Sequence, residues 1–280
     1  MMGNEDMALG KFSVLFIGSS GNLDQCFKHG SASAQPGGIY ILDIKEGQEA
    51  EPQQIYVQNS PYTVMHAHGI YVSNKTDRLY VVDHLGPKSV IQIMKIVYNK
   101  SCLESKVWSC TDPVSLLHIK TISSHLFPRY GINDVVEGIN ESEIYVTRWL
   151  PFPVPEFGAE GWSTLLEKIN PILNSIFVLL GIPGTLVYRC NVDKGECEAA
   201  TDRIFIGSNG ITISDDRTTV YVADPTRKQI ALMNRTDSGF LTLESWIYLQ
   251  YGVDNLEIDT QSGIIINHQM GCMDRGVREL

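Results

Sequence analysis

The chain is short of positive charge. Its 22 Lys and Arg stand against 32 Asp and Glu, a formal net charge of −10. A general nucleic-acid binder needs a basic face for phosphates, and this balance argues against one. A Gly-x-Ser-x-Gly elbow is also missing, and none of the six cysteines sits in a protease-like context. Nothing therefore marks a covalent nucleophile. The start, Met-Met-Gly-Asn-Glu-Asp, has no apolar stretch of signal-peptide length. One uncharged run, Ile169 to Tyr188, approaches the length of a bilayer span. It holds Asn170, Pro171, Asn174 and Gly181-Ile182-Pro183-Gly184, which argue against a spanning helix.

What is there is a recurring β pattern. NDVVEGINESEIYVTRW opens on Asn133-Asp134, NGITISDDRTTVYVAD on Asn209, and DNLEIDTQSGIIINH on Asp254-Asn255. HGIYVSNKTDRLYVVDH opens on His68, and Glu5-Asp6 precedes a first unit with strands at 12–20 and 38–44. Each copy reads polar anchor, alternating apolar strand, polar turn, second apolar strand. That is the pattern of a radially repeated β unit, whose equivalent ends meet at a common axis. Further strands are expected at 69–73, 78–83, 89–98, 132–148, 185–192, 204–214, 219–224, 228–234 and 255–267. The 280 residues suit one large β domain, and no linker divides them. Oxygen donors drawn together without Cys or clustered His suit a hard cation such as calcium.

One segment breaks the β pattern. Apolar residues at 162, 165, 166, 169, 172, 173, 176, 177 and 180 have helical spacing, after a Pro-rich stretch and before Gly181. A helix lying over one end of the β repeats is expected, either packed there or presenting an apolar surface.

Cys190 and Cys197 flank an Asp-Lys-Gly turn signal, which suits a hairpin disulfide. Cys102 and Cys110 are similarly close but lack an obvious turn, and Cys26 and Cys272 are left free or paired. Connectivity is not fixed by spacing. Asn74, Asn99, Asn140 and Asn234 begin Asn-x-Ser/Thr sequons, with Asn74, Asn140 and Asn234 in expected turns. Cysteines and sequons together point to a secreted or secretory-pathway protein.

The ordered series ED, HGI, VVDH, ND, NGI, DN resembles the paraoxonase family of calcium-dependent lactonases and arylesterases. The resemblance runs from GNEDMALGKFSVLFIGSSG to DNLEIDTQSGIIINHQMG. It implies an all-β fold, a six-bladed β-propeller forming a single domain over 1–280. A helical insertion at 150–186 would lay one amphipathic helix over the active-site face. Members of the family begin earlier and continue further, so the resemblance also implies that N- and C-terminal parts of the ring are missing here.

The resemblance implies two calcium ions on the axis. Glu5, Asn133, Asn209, Asp254 and Asn255 would hold the catalytic ion. Asp6, Asp134 and the backbone carbonyl of Ile70 would hold a deeper, structural one. His68 and His84 match a histidine dyad that deprotonates and orients water, and His268 matches a histidine of the pocket. The implied activity is hydrolysis of small lipophilic lactones and aryl esters, with a lipid surface met by the 162–180 helix. The competing reading is a membrane-associated assembly factor or chaperone with no enzymatic role, and a third is a different ester hydrolase or a synthase-like propeller. One departure stands out. Where the family has an Asp-His step this chain has Thr147-Arg148-Trp149, which is expected to place a cation near the histidines.

Overall fold

The structure is a computed structural model. It describes residues 4–21, 37–44, 51–62, 65–84, 88–104, 113–153, 165–259 and 264–269. The side chains of 4–5, 165–168, 259 and 264–269 are not part of that description. The first blade is an antiparallel meander of β1 (Asn4–Leu9), β2 (Val14–Ser19), β3 (Gly38–Asp43) and β4 (Gln53–Ile55). The second holds β5 (Val57–Gln58), β6 (Ala67–Ser73), β7 (Arg78–Asp83), β8 (Val90–Tyr98) and β9 (Val114–Ile122). Its sheet runs β6-β7-β8-β9, with β5 added in parallel outside β9. A short helix, α1 (Lys100–Glu104), joins β8 to β9.

The third blade is β10 (Ile132–Glu137), β11 (Glu143–Arg148), β12 (Val187–Asn191) and β13 (Glu196–Ala199). The fourth is β14 (Ile211–Ile213), β15 (Thr219–Asp224), β16 (Gln229–Arg235) and β17 (Leu241–Tyr248). A two-stranded sheet of β18 (Val253–Asp259) and β19 (Ile264–Gln269) follows. The described residues thus hold four blades of a β-propeller and this fifth pair. The first strands β1, β6, β10, β14 and β18 touch in that order and line the axis.

The core lies between blades. Leu79 and Val81 of β7 face the first blade, with Phe16, Ile39 and Ile70. Tyr80 and Val82, their alternates, face the third blade, with Ile132, Ile144 and Tyr188. A third cluster joins Tyr145 and Val187 to Ile211 and Val222, and a fourth joins Ile230 to Val253 and Leu256. Both faces of a middle strand are covered, so RLYVVD and EIYVTR carry unbroken apolar stretches between polar ends. The expected strand at 204–214 shrinks to Ile211–Ile213. Asn234 lies inside β16, opposite Thr219 and Thr242, and not in a turn; the turn comes after it, at 236–239.

Two disulfide expectations fall on described residues. Cys190 and Cys197 are bonded across the β12–β13 hairpin. Cys102 is also disulfide-bonded, and Cys110, Cys26 and Cys272 lie outside the described residues.

The helical insertion leaves β11 and rejoins β12 at the end where β10 begins. Its helix α2 spans Leu165–Leu180; Trp162 lies outside the described residues. Asn174 faces inward and binds both the N–H and the carbonyl of Phe152, at 3.0 Å each. Phe177 packs edge-on against Phe152. The outward face carries Ile172, Ile176, Leu179 and Leu180, with Leu179 84% exposed. No helix among the described residues is long and apolar enough to cross a membrane.

The axis requires two glycines. A Cβ on Gly69 would run into the backbone of Asn133 and Asp134, and one on Gly210 into the backbone of Asp254 and Asn255. Inner strands of adjoining blades approach so closely that a hydrogen atom is the largest substituent accommodated. Gly69→Ala and Gly210→Ala should each cost about 1–3 kcal/mol by overpacking. Denaturant unfolding reads this directly, and midpoints equal to the parent's would contradict the close approach.

Candidate functional site

The site grows from the starts of the inner strands. Asp6 on β1 is buried and accepts the N–H groups of Met7 and Ile70, both at 2.8 Å. Asp134 on β10 repeats the motif, accepting from Val135 at 2.7 Å and Ile211 at 2.9 Å. Each carboxylate therefore holds the inner strand of the next blade. Burial, opposed by these bonds, pushes both Asp6 and Asp134 well above the usual carboxylate range. Each is also raised by neighbouring acids: Asp6 by Asp254, and Asp134 by Asp6 and Glu257. Asn255 hydrogen-bonds Asp6, so a residue expected at the upper ion meets one expected at the lower.

Above this pair the amides and histidines converge. Asn133 Nδ2 donates to His68 Nε2 at 3.0 Å. That leaves Asn133 Oδ1 buried with no hydrogen-bond partner, and Asn209 Oδ1 is in the same state. Buried amide oxygens are rarely left so, and each is a neutral donor of the kind a hard cation takes. The described side chains contain no cluster of three or more His, Cys, Asp or Glu suited to a metal. The oxygen set here is instead amide as much as carboxylate. Glu5 is in β1, but its side chain is outside the description.

His84 follows β7, and its ring centroid lies 5.1 Å from that of His68. Ser89 Oγ donates to the Pro128 carbonyl at 3.0 Å, so its single proton is committed. It must then accept from His84 Nδ1, 2.8 Å away, leaving the lone pair of His84 on Nε2. Burial holds His84 well below its usual value, reinforced by His68, His66 and Arg129. The imidazole is neutral at physiological pH, the form a general base requires.

Four placements depart from the sequence reading. His66, which matched no motif, donates from Nδ1 to the Ser20 carbonyl at 2.8 Å and ties the first blade to the second. Arg148 does not act on the histidines: its guanidinium binds the carbonyls of Leu150 and Pro151 and the Tyr188 hydroxyl. The cation that reaches His84 is Arg129, outside every repeat motif. Glu257 is a further axial carboxylate, raised well above its usual value by burial and by Asp6, and only its spacing from Asn255 in DNLEID hinted at it. His268 is in β19, with its side chain outside the description. A cavity of about 510 Å³ lies elsewhere, beside Ile55, Tyr56 and Tyr62.

The arylesterase family model matches residues 13–277. The chain belongs to the arylesterase family. Serum paraoxonase/lactonase 3 of Oryctolagus cuniculus is 28% identical over 282 residues, covering 99% of this chain and 68% of its own length. Serum paraoxonase/lactonase 3 of Homo sapiens is 29% identical over 276 residues, covering 96% of this chain and 66% of its own. This arylesterase-family chain thus spans about two thirds of those relatives. A solved candidate gluconolactonase shares its fold, with TM-score 0.51 at 15% identity over 92% of this chain and 68% of the other.

The family assignment leaves His84 to be tested by titration. Its folded pKa is depressed below the unfolded value of 6.5. The unfolded chain therefore binds the extra proton first, and the stability conferred above pH 6.5 is lost as pH falls below it. His84→Gln should flatten the fall in unfolding midpoint between about pH 6.5 and pH 5. Parallel curves for parent and variant would mean that His84 is not held neutral.

Proposed function

We propose that the protein hydrolyses lactones and aryl esters with a divalent cation, most simply calcium, bound on the axis of a six-bladed ring. The observation that carries this is the pair of buried, unpartnered amide oxygens of Asn133 and Asn209, set above two buried carboxylates. Glu5, Asn133, Asn209, Asp254 and Asn255 would hold one ion, and Asp6, Asp134 and the Ile70 carbonyl a second. A calcium ion at the upper position would polarise the substrate carbonyl as a Lewis acid.

The chain supplies the rest. Asn133 fixes His68 through Nε2, and Ser89 fixes His84 through Nδ1. His84 then presents a neutral Nε2 lone pair that can take a proton from water. The names of the relatives support lactone and ester substrates, and the sequons and cysteines support secretion. The test is hydrolysis of a lactone and an aryl ester by the parent and Asn209→Ala, with and without chelator. Loss of a ligand should lower turnover by about two orders of magnitude or more, and the fold should survive.

Stability gives a second readout in the same experiment. Asp6 and Asp134 have raised folded pKa values, so in chelator their contribution is full below about pH 4. It is lost as pH rises through the folded value, which for Asp6 is about 7. Calcium favours the ionised carboxylates and should abolish that loss. Coincident melting curves in chelator and in calcium would remove the cation from the proposal.

A second reading draws on α2, whose outward face is apolar. It would serve as a membrane-facing surface, for an assembly factor without enzymatic turnover or for the hydrolase itself. Ile176→Ser with Leu179→Ser should leave the melting temperature nearly unchanged and abolish binding to phosphatidylcholine vesicles. A large loss of stability with vesicle binding retained would show the face to be packed. Lactone turnover in the parent separates hydrolase from assembly factor.

A further inference from the structure

The inner strands leave a second opening on the axis, at the end opposite the histidines. A cavity of about 320 Å³ lies there. Leu9 of β1, Tyr71 and Val72 of β6, Ile213 of β14, and Glu257 and Ile258 of β18 line it. Leu9 comes three residues after Asp6, Tyr71 one after Ile70, and Ile213 two after Ile211. Asp6 grips Ile70, and Asp134 grips Ile211. A strand rises about 3.3 Å per residue, so the cavity begins roughly 3–10 Å beyond the buried carboxylates.

One wall of this cavity compensates its own charge. Arg217 Nη1 donates to the carbonyls of Glu137 at 2.6 Å and Gly138 at 3.2 Å, and its Nη2 lies 3.7 Å from the Glu137 carboxylate. Arg217 also hydrogen-bonds Tyr71. Glu137 in turn accepts from the hydroxyls of Ser73, Thr76 and Tyr80. Glu257 has no such balance. It is half-buried, and the charged group that acts on it is Asp6, another acid. The described residues contain no cluster of three acids suited to one ion, so Glu257 stands apart from Asp6 and Asp134, on the cavity side. Two exposed lining residues of opposite sign, Lys75 and Asp215, offset each other. The cavity is therefore negative, through Glu257. The histidine end is the reverse, since the cation Arg129 acts on His84 there.

We propose that this far mouth is the route by which a cation reaches the lower carboxylates, and that Glu257 captures it on the way in. The inference rests on the cation reading above and deepens it. A fixed negative charge in a cleft with low-dielectric walls raises the local concentration of cations and their rate of entry, by about ten-fold to a thousand-fold. A lone carboxylate attracts an ion without the six or more oxygens, roughly, that calcium needs to stay. The ion therefore passes on to Asp6 and Asp134. Entry from this end leaves the histidine end to the substrate, so a bound substrate does not stand in the path of the ion.

The test follows terbium uptake by stopped flow, with the ion excited through the tyrosines of the protein and its release read on mixing with chelator. Glu257→Gln keeps the size of the side chain and removes its charge. Asp215→Lys places a cation at an exposed position on the mouth. Each should slow a phase of uptake about ten-fold at low salt and change release by less. Added salt should slow uptake by the parent more than uptake by Glu257→Gln. Uptake at the parent's rate in both variants would overturn the route. Uptake at the parent's rate with faster release in Glu257→Gln would make Glu257 a ligand of the bound ion and overturn its capture role. If Glu257→Gln does not fold, Asp215→Lys alone decides the route. A parent that takes up no terbium would remove the cation reading and the route with it, whereas the other outcomes leave that reading standing.

Discussion

A buried carboxylate on one blade gripping a backbone N–H of the next is the constraint on which this ring depends. Asp6 takes the N–H of Ile70, and Asp134 takes that of Ile211. Other polar bonds between inner strands add to this grip, with Ser73 donating to Glu137 and Asn133 to His68. The grip sets the height of one inner strand against its neighbour. That height brings Gly69 onto Asn133 and Gly210 onto Asp254 with no room for a side chain. It thereby fixes where His68, Asn133 and Asn209 stand. A second grip works farther out: Asp83 holds the His66 N–H and Asp224 holds the Ile206 N–H, each pinning the chain that enters an inner strand.

The same grip creates an electrostatic conflict. Acids placed at an axis must crowd one another, and Asp6, Asp134, Asp254 and Glu257 do. Two ways out exist: protonation, or a bound cation. Protonated, each acid can still accept the strand N–H, so the inner strands can pack against one another without metal. Ionised and paired with a cation, the acids accept more strongly and the amide oxygens of Asn133 and Asn209 gain a partner. With a cation on the axis, folding and ion binding would be coupled through these two carboxylates.

Much of this was readable in the sequence, for a physical reason. Middle strands such as Arg78–Asp83 and Glu143–Arg148 are buried on both faces, so their apolar runs are long and their polar ends abrupt. Outer strands are not. β17 is mostly exposed and β4 is barely covered, so neither shows an alternating signature, and both escaped the sequence reading. The polar stretch after Met233 looked like a turn because Asn234 faces solvent within its strand. The anchor residues were legible as a set because the repeat presents them in register. Their mutual contacts were not: Asn133 and His68 are 65 residues apart, and no local pattern joins them. Arg129 escaped notice because it belongs to a turn outside the repeat, whereas Arg148, which looked functional, is consumed by the connection to α2.

The strand directions also sort the surface into two ends. β6, β8, β10 and β16 all run away from the histidine end. Asn74 follows β6, Asn99 follows β8, Asn140 follows β10, and Asn234 lies near the end of β16, so all four sequons fall at the far end, and all four are exposed. α2 and its apolar outward face lie at the opposite end, on the connection from β11 to β12. Glycans at the far end would keep that end in water and leave the histidine end bare. They would do so unequally, since the Asn74 amide already donates to the Leu9 carbonyl and would lose that bond on modification. If the axis takes a lipophilic substrate, an apolar helix on the end without sequons would let that substrate pass from a surface to the axis without crossing a hydrated sugar layer.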